Sequence, residues 1–323
     1  MSEKRAIAVL TSGGDAPGMN AAVRAVVRTA IAKGFKVYGV KMGYQGLVND
    51  EFEEFTVRSV SDIINRGGTA IYSARCLEFK TEPAMQKAIE NCRKRNICGL
   101  VVIGGDGSFR GAKDLSERGL PTVGIPATID NDIAASEYSI GFDTAIDTVM
   151  EMVDRLRDTS QSHLRCSVVE VMGRRAGWLA LESGIAVGAS AIIVEEVPFD
   201  FEKDIIERFK EYLKSGRQNF TVIVSEGVGG VVEMAKRIEA ETGIETRATI
   251  LGHVQRGGSP TAKDRIIATK MGHYAVELLE KGIGKRVVVM QNNKITDMDI
   301  FEALQMKKDF DFESYKIAAE VNI

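Results

Sequence analysis

Along the chain, short apolar runs closed by glycine alternate with stretches in which apolar residues return every three or four positions. The first pattern fits strands buried on both faces and the second fits helices that cover them, so the order is that of parallel βα units. Strands are predicted over Ala6–Thr11 and over residues 100–103, 122–125, 167–171, 191–195, 221–225, 249–251 and 287–290, with helices in the intervals. The fold class is therefore α/β, with mostly parallel sheets flanked by helices. Met150 and Met152 are expected in the core, and Trp178 is expected to pack at a helix start. His163 and His273 read as ordinary helix or loop residues.

Composition narrows the class. A chain of 323 residues, 44% hydrophobic and 27% charged, has apolar material for one large or two ordinary cores, and two lobes are the expectation. Only six prolines are present and no stretch is low in complexity, so a lobe boundary must be crossed by ordered chain. The net charge is −3 and the cations are scattered, which argues against a nucleic-acid partner. Cys76, Cys92, Cys98 and Cys166 form neither a CxxC pair nor a metal-spaced cluster with histidine, so zinc and disulfide readings fail and a reducing cytoplasm fits. Met1 to Arg5 lead into about six apolar residues, far short of the ~20 that a spanning helix takes, so no membrane attachment is expected.

Three turns carry the chemistry. Thr11-Ser12-Gly13-Gly14-Asp15-Ala16-Pro17-Gly18-Met19-Asn20 follows the first strand, and its glycines would let a ligand approach the backbone where a helix begins. A tight chain reversal explains it equally well, and it matches neither the P-loop nor the GxGxxG pattern that a Rossmann dehydrogenase needs. Val101-Val102-Ile103-Gly104-Gly105-Asp106-Gly107-Ser108 sets a carboxylate between glycines at a strand's C-terminal end, where α/β sheets bind ligands. Asp106 there either holds Mg²⁺ or caps the helix. Pro126-Ala127-Thr128-Ile129-Asp130-Asn131-Asp132 packs two carboxylates into three residues; a surface turn accounts for that, as does a base that takes a hydroxyl proton. In a strand-like stretch Asp130 and Asp132 would point oppositely.

Arginines beside glycines complete the pattern. They occur at Arg66-Gly67-Gly68, Arg75, Met172-Gly173-Arg174-Arg175-Ala176-Gly177 and Gly252-His253-Val254-Gln255-Arg256-Gly257-Gly258, while Arg165 and Arg247 are read as directly preceding strands. Singly each is best read as a solvated charge; together, at equivalent places in the topology, they indicate phosphate ligands.

At these motifs the sequence resembles the bacterial ATP-dependent 6-phosphofructokinase family over nearly its whole length, from the Leu10–Asn20 turn to Leu251-Gly252-His253-Val254-Gln255-Arg256-Gly257-Gly258-Ser259-Pro260. The resemblance implies a larger ATP-binding lobe over residues 1–141 plus 254–304 and a smaller sugar-phosphate lobe over 142–253 plus 305–323. Gly14, Tyr44, Arg75, Cys76, Gly105, Asp106, Gly107 and Ser108 would form the nucleotide site, with Asp106 on Mg²⁺ as cofactor and ATP as co-substrate. Asp130 would be the general base toward the 1-hydroxyl of fructose 6-phosphate, with Thr128, Arg174 and Arg75 near the transferred phosphoryl. Sugar-phosphate contacts would come from Thr128, Ile129, Asp130, Met172, Gly173, Arg174, Glu226, His253, Val254, Gln255 and Arg256. Arg165 and Arg247 would join them from a neighbouring subunit, which implies a homotetramer with shared active sites.

Departures from the family pattern matter too. Ala127 stands where ATP users carry glycine and pyrophosphate users lysine, and Gly107 stands where pyrophosphate users carry aspartate. Room for an α-phosphate and the lack of a cation favour ATP, although Gly177-Trp178 is similar to a branch with some pyrophosphate users. A pyrophosphate-dependent enzyme and a silent sugar-phosphate-binding paralogue are the alternatives. Arg24, Arg28, Arg157 and Arg217 match an effector site, but Ser190 and Val57 replace a glutamate and an arginine found there in allosteric relatives, so muted allostery is expected.

Overall fold

A computed structural model describes residues 5–217 and 219–321. Its strands are β1 Ala6–Thr11, β2 Lys36–Val40, β3 Phe52–Phe55, β4 Ile97–Gly104, β5 Thr122–Pro126, β6 Cys166–Val171, β7 Ala191–Ile193, β8 Phe220–Ser225, β9 Thr246–Ile250, β10 Arg286–Gln291 and β11 Lys294–Asp299. Contacts divide the chain into two compact units. The first runs as far as Ile129 and takes in Ile133–Thr144 and Arg256–Lys308; the second holds Asp130–Asp132, Ala145–Gln255 and the chain from Asp309 onward. The cuts fall a few residues beyond the expected 141, 253 and 304, and Asp130 to Asp132 group with the second unit.

The first unit is built on a seven-stranded sheet in the order β11-β10-β5-β4-β1-β2-β3. Its interior strands are parallel, and β3 and β11 run antiparallel at the two edges. β1, β4 and β5 are almost wholly buried, because helices cover both faces of a parallel sheet. Helices Met19–Ala32 and Ala262–Glu280 pack closely on one face: a Cβ at Gly272 would come within 2.8 Å of both the Ala22 carbonyl oxygen and the Ala25 Cβ. Leu100, Val102, Phe109 and Leu115 belong to a buried cluster reaching helices Glu82–Arg93 and Asp106–Glu117.

The second unit holds a four-stranded, all-parallel sheet in the order β7-β8-β6-β9. One cluster includes Phe209 stacked on Phe220 with centroids 4.5 Å apart, and a second gathers Val169, Leu181, Ile223 and Phe310. Trp178, the first residue of helix Trp178–Ala186, packs its ring against Phe310 at 6.0 Å.

Several sequence readings need correction. β2, β3 and β11 were not foreseen: Phe52-Glu53-Glu54-Phe55 and Lys294-Ile295-Thr296-Asp297-Met298-Asp299 are edge strands, exposed or half-buried, and lack the apolar run of an interior strand. β9 begins at Thr246, so Arg247 lies inside the strand and does not precede it. Met150 and Met152 are half-buried, and Met150 packs against the cluster of Val169 and Leu181. His163 ends helix Phe142–His163 and His273 lies within Ala262–Glu280. Among the described residues, no helix is long and apolar enough to cross a membrane.

Candidate active site

In the seven-stranded sheet, β1 is flanked by β4 on one side and β2 on the other, so chain order reverses between β1 and β4. The crevice beyond the C-terminal ends of such neighbours is where open α/β sheets bind ligands. Both glycine turns leave from there. They are pressed together: a Cβ at Gly104 would sit 2.5 Å from Ser108 Oγ and closer still to the Ser12 carbonyl oxygen. Ser108, itself buried, donates its hydroxyl to that same carbonyl at 3.1 Å. Glycine at 104 is thus a packing requirement, and it brings two backbone turns to one place.

The first turn is held from outside as well. Thr11 Oγ1 lies 2.7 Å from Thr69 Oγ1, Ser73 donates to the Gly13 carbonyl at 2.7 Å, and the Asn20 amide bonds Arg66 O at 2.9 Å and Ala70 N at 2.7 Å. Arg256 donates to Asp15 O at 3.1 Å, and its Nη1 lies where a Gly14 Cβ would come within 2.5 Å of it. A guanidinium therefore lies directly on the Gly14 backbone.

Asp106 is the first residue of its helix and half-buried, whereas Gly107 is exposed, with nothing within 4 Å of where a Cβ would be. Among the described residues, no three His, Cys, Asp or Glu side chains cluster to hold a metal alone. One carboxylate at an open helix start suits Mg²⁺ carried in by phosphates, because that ion takes one or two carboxylates and keeps water and phosphate oxygens. Tyr44 is buried, stacked on Phe79 at 4.2 Å, and donates its hydroxyl to the Ser108 carbonyl; burial pushes its pKa well up. It props the start of the helix from below. Arg75 is exposed, and Cys76 is half-buried against the core.

Beyond β5, Ala127 bridges to Ile140 and Thr128 is clasped by Ser139: Thr128 N donates to Ser139 Oγ, and that hydroxyl donates to Thr128 O, both at 2.9 Å. Ser139 was missed from sequence, where a lone serine eleven residues on has no signature. Thr128 also lies beside Gly105, 3.9 Å from where a Cβ would be, and Ile129 is fully buried.

In the second unit, Asp130 is fully buried and its Oδ2 lies 3.3 Å from Nε of Arg174, whose side chain is 65% exposed. A carboxylate so buried is stable only beside a cation or donors. Asn131 has φ +47°, so residues 130–132 are not extended and the expectation that Asp130 and Asp132 point oppositely lapses. Arg174 is itself left-handed, at φ +56°. Glu226 Oε1 pins that turn by accepting from Gly173 N at 3.2 Å and Arg174 N at 2.5 Å. Gln255, wholly buried, accepts from Met172 N at 3.1 Å and donates to Gly252 O at 2.9 Å, so its amide shapes the turn from within. Glu196, unmarked in the sequence reading, accepts from Gly177 N at 2.7 Å. His253 and Val254 are exposed.

Arg165 and Arg247 are elsewhere. They flank the N-terminal ends of β6 and β9 and share Glu245, which Arg165 approaches at 2.7 Å and Arg247 also pairs. The close ion pair with Arg165 holds the Glu245 carboxyl below the usual glutamate range. Met172 to Arg174 follow the opposite end of the six-residue β6, roughly 17 Å along the strand. Within the second unit, these two arginines and the Arg174 turn are at opposite ends of one sheet.

The effector candidates fall in both units, Arg24 and Arg28 in the first and Arg157 and Arg217 in the second. Arg24 and Arg28 lie one turn apart on helix Met19–Ala32, where burial and then Arg28 lower the Arg24 pKa. Arg157 donates to Val187 O and lies 3.8 Å from Asp154. Arg217 donates to Ser190 Oγ at 2.9 Å and lies over the Tyr212 and Phe220 rings.

Residues 6–279 match the family described as Phosphofructokinase. The chain belongs to the phosphofructokinase family. It is 54% identical to the ATP-dependent 6-phosphofructokinase of Bacillus velezensis, over 98% of this chain and 99% of that one. It is 57% identical to the Clostridium tetani protein of the same name, over 97% and 98%. Among solved structures, the phosphofructokinase of Saccharomyces cerevisiae superposes with TM-score 0.88 at 37% identity; this chain is covered to 99% but spans only 47% of the yeast chain. A pyrophosphate-dependent phosphofructokinase from Marinobacter aquaeolei shares the fold, TM-score 0.86, at 21% identity.

Proposed function

We propose that this chain transfers the γ-phosphoryl group of ATP to the 1-hydroxyl of fructose 6-phosphate, giving fructose 1,6-bisphosphate and ADP. The observation that carries this reading is Asp130, a fully buried carboxylate beside the Arg174 guanidinium at the end of a strand-following motif. A base for a sugar hydroxyl needs this setting: shielded from water and next to a cation that offsets charge in the transition state.

In the mechanism, the turns after β1 and β4 present backbone N–H groups to the nucleotide phosphates, and the open space at Gly107 admits the α-phosphate. Asp106 would hold Mg²⁺, which supplies charge neutralisation on the phosphoryl oxygens when bound. Asp130 takes the proton from the 1-hydroxyl, and Thr128, Arg174 and Arg75 stabilise the group in flight. Glu226 holds the Gly173–Arg174 backbone, which keeps the arginine aimed. Met172, His253 and Arg256 bind the 6-phosphate and ring. Ala127 is buried and brings no cation, which favours ATP over pyrophosphate.

Arg165 and Arg247 serve a neighbouring copy's sugar phosphate, since their own Arg174 turn is a strand length away. That supports a homotetramer of shared sites, in the cytoplasm where the four free cysteines stay reduced. Effector coupling is muted, because Ser190 ties down Arg217 with a neutral hydroxyl where allosteric relatives carry a glutamate. A strongly sigmoidal fructose 6-phosphate curve that ADP abolishes would contradict this. The functional reading itself is tested by a coupled assay with fructose 6-phosphate, Mg²⁺ and either donor. A higher kcat/KM with ATP than with pyrophosphate is expected; turnover with pyrophosphate alone would overturn the donor assignment.

A further inference from the structure

Asp264 is a fully buried carboxylate in the first turn of helix Ala262–Glu280, and the mechanism above does not use it. Its backbone N–H is capped by Thr261 Oγ1 at 3.2 Å, so the side chain is free for other work. Oδ1 accepts from the Tyr138 hydroxyl at 2.6 Å and from Gly141 N at 2.7 Å; Oδ2 accepts from Thr144 N at 3.0 Å and from its hydroxyl at 2.5 Å. Four donors on two oxygens saturate the group. Burial raises its pKa, and those donors offset part of the rise.

What the four bonds hold is the return strap from residue 138 to 144. Between the gripped residues Tyr138 and Gly141 lie Ser139, which clasps Thr128 through both its N–H and its carbonyl, and Ile140, whose N–H bonds Pro126 O at 3.0 Å. The strap thus fixes the chain where β5 ends, two residues before Asp130. The same hub touches the glycine turn after β1. A Cβ at Gly18 would meet Ile140 Cγ2 at 2.7 Å and the Asp264 Cβ at 3.5 Å, and one at Gly141 would meet the Ala16 Cβ at 2.6 Å. Two phosphate-handling turns of the first unit therefore rest on one buried carboxylate.

The structure assigns Asp264 as a positioning residue for phosphoryl transfer: by locking the 138–144 strap it sets the Thr128 backbone and the seat of the Gly13–Gly18 turn without touching substrate. This rests on the functional reading above. A small displacement at a transfer site costs far more rate than binding, because a misaligned donor and acceptor lose in-line geometry.

The test measures kcat, KM for both substrates and thermal unfolding for wild type, Asp264→Asn, Thr144→Val and Thr144→Ser in the full-length enzyme. Asp264→Asn turns one acceptor into a donor facing donors, and kcat per folded enzyme is expected to fall about 10- to 100-fold while KM for ATP changes little. Thr144→Val should lose turnover in the same direction, and Thr144→Ser, which keeps the hydroxyl, should restore it. Asp297→Asn is the control: its carboxylate also receives a tyrosine, Tyr274, at 2.6 Å in the same unit, and its loss should lower the unfolding temperature and leave kcat alone. If Asp264→Asn and Thr144→Val unfold earlier but turn over like wild type, Asp264 is merely structural and the assignment is wrong. Should Asp264→Asn fail to fold, the Thr144 pair decides by the same criterion. A wild type that does not phosphorylate fructose 6-phosphate would remove the functional reading instead, and this assignment with it.

Discussion

The turns of the seven-stranded sheet and those of the four-stranded sheet solve different problems with different materials. In the first, backbone is made accessible by missing side chains: Gly104 lets two turns press together, and Gly107 opens onto empty space. In the second, charged side chains stand at the turns and acids or amides behind them hold the backbone, as Glu226 and Gln255 do for Met172 to Arg174. A nucleotide triphosphate offers repeated oxygens that N–H groups can meet anywhere along it, whereas a sugar with one reacting hydroxyl needs a base and a cation at fixed places.

The comparison breaks most sharply at Asp130. Asp130→Ser should cut kcat by about 10² to 10⁴ with sugar affinity little changed; near-normal turnover would move the base elsewhere. Next comes the other sheet. Gly104→Ala forces a methyl onto Ser108 Oγ and the Ser12 carbonyl, so about 1–3 kcal/mol of stability should be lost together with ATP affinity, read from unfolding and from KM for ATP. An unchanged KM would mean that the two turns need not touch to bind nucleotide. Arg247→Ala should raise KM for fructose 6-phosphate about tenfold and spare kcat, the signature of ground-state binding. At fructose 6-phosphate well below the raised KM, mixing it with Asp130→Ser subunits should give more activity than the two parents assayed separately add up to, whereas sites confined to single chains would show no such gain.

The smallest effect concerns Glu245. Arg165 keeps its folded-state pKa below that of the unfolded chain, so the pair contributes fully above the unfolded value and is lost as pH falls through the lower one. Unfolding temperatures of wild type and Glu245→Gln should therefore differ slightly at neutral pH and converge in acid.

Much of this was legible in the residues. β1, β4, β5, β6 and β8 announce themselves because burial on both faces demands an unbroken apolar run. β2, β3 and β11 do not, since partial exposure admits Lys36, Glu53 and Asp297. Among candidate site residues, exposed arginines and glycine turns could be picked out by type and spacing. The inward roles of Gln255 and Tyr44 could not, because a side chain that bonds neighbouring backbone carries no mark distinguishing it from one that meets a ligand. Thr261-Ala262-Lys263-Asp264 reads as an ordinary helix start, and nothing in those four letters reports that the carboxylate turns into the protein.

The placement of Arg165 and Arg247 at the far ends of β6 and β9 has a consequence for how such an enzyme behaves at different concentrations. If each copy lends its cations to another, an isolated copy holds only part of its own sugar pocket, and dilution below the dissociation constant of the assembly should erode saturation by sugar before it unfolds anything. Specific activity would then depend on how much enzyme is in the tube, and loss of the assembly would register first as hunger for substrate.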